Sequence, residues 1–144
     1  MKKTVVGLAC PSGRASARSS ARLVCPHRPD YADGEQCRDF IYVKDCAAVM
    51  LWLLRSATNS GIFNVGTGQA RNFRQLMEAV GLACGVPPII EYVETPPAIR
   101  SGYQYFTEAV VGKLRAAGYT ASFTPLETAV SDFVTEYLAK DPYL

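Results

Sequence analysis

Histidine is nearly absent from this 144-residue sequence, which holds one, His27. No serine or carboxylate stands near it at a spacing that suggests a Ser-His-Asp triad, so it reads as a solvated residue in a proline-flanked loop. The five cysteines (Cys10, Cys25, Cys37, Cys46, Cys84) are odd in number and never spaced Cys-x-x-Cys. Neither a disulfide framework nor a zinc or other metal site is therefore written here, and a reducing cytoplasm is the expected setting. Long apolar runs are missing too. The longest, Cys46 to Leu54, falls well short of the ~18 residues a membrane helix needs. The apolar stretch Thr4 to Cys10 after Met1-Lys2-Lys3 stops at Pro11, at the ~7-residue minimum of a secretory signal, so secretion is not expected.

Carboxylates are lacking from residues 1–29, which carry six cations, whereas residues 30–144 carry nine cations and thirteen carboxylates. The basic arm has no aromatic residue and no helical spacing of its arginines, so nucleic acid is not an expected partner. Residues 1–21, biased to Arg, Ser, Ala and Pro, are expected to be a disordered leader, and 22–144 a single domain. A chain of this length, 49% hydrophobic and 19% charged, buries one core but cannot hold a cofactor domain beside a full substrate domain.

From Arg38 onward local signals agree. Arg38 to Val43, aromatic and β-branched, reads as a strand, and Asp45 can cap a helix over Cys46 to Arg55 with Val49, Met50, Leu53 and Leu54 as its apolar stripe. Gly61 to Val65 reads as a second strand stopped by Gly66-Thr67-Gly68. Asn72 with Gln75 resembles a capping box that opens a helix carrying Phe73, Leu76, Met77 and Val80 on one face, with Gly85 past its end. A strand is expected at Ile89 to Val93, strand-like chain at Tyr103 to Phe106, and a helix from Thr107 through Leu114. Thr124-Pro125-Leu126-Glu127 starts a terminal helix with Leu126, Val130, Phe133 and Tyr137 inward. Alternating strands and helices make the class α/β or α+β.

Two catalytic patterns fail in an informative way. Gly66-Thr67-Gly68 lies between a strand and a helix, where a dinucleotide fingerprint would sit, with Glu91 where its ribose acid belongs. The third glycine position is Arg71, whose side chain would fill the space where helix and strand must close, so a tight turn with a positive φ is the better reading. None of the eight tyrosines has a lysine four residues on, so the phenolate base of short-chain dehydrogenases is absent. No catalytic and no cofactor-binding residue is assigned. What remains is recognition: Arg38, at the end of the acidic loop Asp30 to Glu35, could grip a diphosphate bidentately or form a surface salt bridge to Asp39 or Glu35.

Arg38-Asp39-Phe40-Ile41-Tyr42-Val43-Lys44-Asp45 followed by Gly61-Ile62-Phe63-Asn64-Val65-Gly66-Thr67-Gly68 resembles the C-terminal part of the extended short-chain dehydrogenase/reductase sugar-nucleotide epimerases. Gly102-Tyr103-Gln104-Tyr105-Phe106-Thr107 and Lys113 to Tyr119 narrow the resemblance to the branch acting on ADP-heptose for lipopolysaccharide. It implies the substrate-binding portion of an α/β epimerase whose Rossmann domain, NADP site and tyrosine-lysine base are not in this stretch. It also implies sugar-nucleotide contacts at Arg38 and Tyr103, and at His27, although Leu23-Val24-Cys25-Pro26 departs from the family pattern just before it. The expected object is a truncated epimerase, inactive alone, with uncovered apolar surface that invites self-association. The alternative is a non-catalytic module that binds a sugar nucleotide or caps a partner's cofactor domain.

Overall fold

The computed structural model describes residues 20–26, 28–56 and 60–140. Residues 1–19, and so nearly all of the expected leader, lie outside the described residues, as does His27. The architecture mixes helices and strands. β1 (Ser20–Cys25) runs parallel to β4 (Ile89–Glu94), in a register from Ser20 opposite Ile89 to Cys25 opposite Glu94. It begins two residues before the Arg22 boundary. Parallel neighbours need a long crossover. Here it contains β2 (Cys37–Arg38), α1 (Val43–Arg55), β3 (Arg71–Asn72) and α2 (Phe73–Cys84), with β2 and β3 antiparallel. After β4 come α3 (Pro97–Arg100), α4 (Gly112–Ala116) and α5 (Leu126–Phe133), whose end passes into a π-helical turn, Val134–Leu138.

Helix α2 forms where the sequence predicts it. The Asn72 side chain accepts from the Gln75 amide at 2.8 Å, the Gln75 side chain accepts from the Asn72 amide at 3.0 Å, and Gly85 closes the helix at φ 68°. Met77 and Val80 of α2 bury with Leu23 of β1, flanked by Phe73, Ile90 and Val130, to make one core. The second core joins Val49 of α1 to Leu114 of α4 and to Tyr119, with Trp52, Leu53, Phe63 and Val65 against them.

Several elements differ from expectation. Of the strand expected over Arg38 to Val43 only Arg38 lies in a ladder, and Gly61 to Val65 forms no strand among the described residues. The inner stripe of α1 is Val49, Trp52 and Leu53, while Met50 is 59% and Leu54 82% exposed. A nine-residue apolar run is apolar on every face, so periodicity could not choose the buried one. Asp45 sits in the first turn of α1 rather than at its cap, and its carboxylate accepts from the amide and hydroxyl of Thr124 at 2.8 and 2.9 Å. Thr124 is thereby drawn away from capping, and α5 starts at Leu126 after Pro125. Phe133 is 43% exposed, and Val134 is buried beyond it. The helix expected from Thr107 shrinks to α4, and Tyr103 to Phe106 contributes one bridge, Phe106 to Cys37.

Candidate functional site

Loops leaving the carboxyl ends of parallel strands are where open α/β sheets hold their ligands. The loop after β1 carries Arg28 and Tyr31, and the chain after β4 carries α3, Tyr103 and Tyr105. The Thr95 hydroxyl donates to the Cys25 carbonyl and Arg100 Nε to the Thr95 carbonyl at 2.8 Å, tying the two exits together. The Tyr31 and Tyr105 rings lie 4.6 Å apart, and Tyr103 meets Tyr105 edge-on at 5.2 Å. The Arg28 guanidinium lies over Tyr31 and Tyr105 at 5.5 and 5.4 Å, and that of Arg38 over Tyr103 at 5.8 Å. Three tyrosine rings thus run between two guanidinium groups, held by cation–π contacts.

Arg38 is oriented by backbone. Its Nη1 donates to the Cys37 carbonyl at 2.7 Å and its Nη2 to the Gln104 carbonyl, so two N–H groups of the fork are fixed by chain geometry. Cys37 is itself set by its amide's bond to the Tyr105 carbonyl at 2.8 Å and by the Thr107 amide donating back to its carbonyl at 3.2 Å. Arg38, Ile99, Ser101, Tyr103 and Gln104 border an open cavity of about 400 Å3. Burial pushes the Tyr103 phenol above its ordinary range, against the nearby Arg38 charge.

The expected surface salt bridge from Arg38 is not made. Glu35 instead engages Arg74 and the Asn72 side-chain amide, which pins the acidic loop to α2. Asp39 accepts from the Thr67 amide at 2.8 Å, the Thr67 hydroxyl at 2.5 Å, the Gly68 amide at 2.9 Å and the Ala109 amide at 3.1 Å. The glycine turn therefore presents its N–H groups to a carboxylate of its own chain. Arg71, in the third glycine position, bonds Gln75 and Glu127. These residues do not fit a dinucleotide pyrophosphate, and Gly68, at φ 71°, fits the tight-turn reading.

A sequence profile of the NAD dependent epimerase/dehydratase family matches residues 14–66. The ADP-L-glycero-D-manno-heptose-6-epimerase of Nitratidesulfovibrio vulgaris is 53% identical over 124 residues, 85% of this chain and 38% of that protein. Over that stretch the chain is similar to a part of such an enzyme, no more than two fifths of its length. The enzyme of that name from Fusobacterium nucleatum is 42% identical over 130 residues, again 85% of this chain and 39% of the relative. The chain thus spans about 38% of the length of the first of these curated proteins. Its structure superposes on the UDP-glucose 4-epimerase of Thermus thermophilus, solved with NAD, at TM-score 0.62 and 28% identity, over 79% of this chain and 35% of the other. The Helicobacter pylori heptose epimerase gives TM-score 0.59 at 21% identity, over 81% and 43%.

Of the residues singled out in the sequence, Arg38 and Tyr103 are brought together. The structure adds Arg28, Tyr31, Tyr105 and Asp39 to the candidate site, and the sequence alone marks none of them as a ligand contact. Arg28-Pro29-Asp30-Tyr31 carries a cation and a ring three residues apart, yet nothing in that spacing reveals that Tyr105 lies across from them. Among the described residues no three His, Cys, Asp or Glu side chains gather as metal ligands, and no helix is long and apolar enough to cross a membrane.

Proposed function

We propose that this chain is the C-terminal, sugar-nucleotide-binding part of an ADP-heptose 6-epimerase, and that it does not epimerise by itself. The supporting observation is the Arg38–Tyr103 pair at the mouth of the cavity, with Arg38 aimed by the Cys37 and Gln104 carbonyls. A planar fork held in this way suits a diphosphate, and adjoining tyrosine rings suit a nucleobase or sugar face. In this reading the cofactor, NADP, and the base belong to another part of the enzyme, and the reaction serves lipopolysaccharide heptose supply in the cytoplasm. His27 lies outside the described residues, and the proposal stands on Arg38 and Tyr103.

Calorimetric titration of ADP-heptose into the chain tests this. Arg38→Ala should weaken binding by about 1.5–3 kcal/mol, the range for a hydrogen bond to a charged group, with little change in thermal midpoint. Arg38→Lys should restore part of the loss, because an ammonium cannot reproduce the fork. No binding by the unmodified chain, or turnover of ADP-heptose by it, would overturn the proposal.

A second reading, a non-catalytic partner domain, draws on the outward apolar residues Met50, Leu54 and Ile62, the last 87% exposed. Such a domain should bind a separately produced cofactor half of a heptose epimerase at 1:1 in sedimentation.

A further inference from the structure

We propose that Asp39 is a positioning residue. Its carboxylate gathers the Gly66–Gly68 turn and the Ala109 segment onto the strand carrying Arg38, and this sets where the Arg38 guanidinium stands against Tyr103. The two Asp39 oxygens divide the task, Oδ1 taking the amide and hydroxyl of Thr67 and Oδ2 the amides of Gly68 and Ala109. Two chain segments are thus clamped on the residue next to Arg38. The approach is tight by construction: a Cβ built on Gly66 would stand 2.5 Å from Asp39 Oδ2 and 2.3 Å from the Ala109 Cβ. Arg38 meanwhile takes its direction from backbone carbonyls, Cys37 on its own strand and Gln104 on the segment that leads through Thr107 to Ala109. A shift of Asp39 therefore moves both the origin of the Arg38 side chain and one of the carbonyls that aims it.

The diphosphate role of Arg38 rests on the function proposed above, so the experiment has an arm without ligand. In the free chain, Asp39→Asn replaces one acceptor oxygen with a donor. It should speed amide exchange at Thr67, Gly68 and Ala109 by tenfold or more and shift the Arg38 Nε–Hε resonance. An unmoved Arg38 resonance overturns the proposal whatever the ligand does. In the second arm ADP is the probe, in a double-mutant cycle. Asp39→Asn should weaken ADP binding about tenfold with Arg38 present and leave it unchanged in the Arg38→Ala background. An equal loss in both backgrounds would show that Asp39 acts through the fold and not through Arg38. Failure of the unmodified chain to bind ADP would remove the diphosphate reading and leave the first arm to decide. Should Asp39→Asn not fold, Thr67→Val, which removes one donor of four, should give the same pattern at two- to threefold, and no shift at Arg38 in that variant counts against the proposal.

Discussion

At Asp39 burial works against the charged form, yet the Thr67 hydroxyl and the amides of Thr67, Ala109 and Gly68 hold the carboxyl below the ordinary aspartate range. A depressed folded-state value means the group stabilises the fold above its unfolded value, near pH ~4, and that this stability is lost as pH falls through the folded value. Urea unfolding at a series of pH values should therefore show a steeper loss below pH ~4 in the unmodified chain than in Asp39→Asn. Gly66→Ala forces a methyl into occupied space and should cost about 1–3 kcal/mol by the same measurement. The exposed Lys44–Asp132 pair lowers the Asp132 carboxyl and raises the Lys44 ammonium, but solvent screening leaves such pairs with little influence on stability.

Helix α2 shows what an element needs to be readable from sequence. Its cap, its start and its αL stop lie within its own residues, so local chemistry decides it, and Asn72→Ala should cost about 0.5–2 kcal/mol in thermal unfolding. Arg38 to Val43 and Gly61 to Val65 have strand-forming residues, but a strand exists only with a neighbour, and composition says nothing of neighbours. Site residues divide in the same way. Arg38 was readable from its motif, whereas Arg28, Tyr31 and Tyr105 become a group only when β1 and β4 bring their exits together. Helix α1 leaves Val43, Met50, Leu51 and Leu54 outward, a patch that should bind a hydrophobic dye and promote self-association. Leu54→Glu with Met50→Lys should abolish both without lowering the unfolding midpoint, because neither side chain is buried.

At the scale of the molecule, the described residues form two small cores, and the crossover between β1 and β4 gives α2 to one and α1 to the other. Every β1 residue pairs with a partner 69 positions later in the chain, Ser20 with Ile89 through Cys25 with Glu94. Closing so large a loop is entropically costly before any contact repays it, whereas the capped α2 and its packing on α5 involve nearer partners. Docking of β1 should therefore come late, after the folding barrier, with the rest of the chain already assembled. Leu23, buried against Met77 and Val80, reports on that event. Leu23→Ala should destabilise by about 2–5 kcal/mol, and in stopped-flow experiments nearly all of it should appear as faster unfolding, with the refolding rate hardly changed. A slowed refolding limb would place β1 in the nucleus instead. A late and separable strand also makes the Arg28–Tyr31 loop after it the part of the fold whose opening is least costly, so exchange at that loop's amides and at those of β1 should rise and fall together.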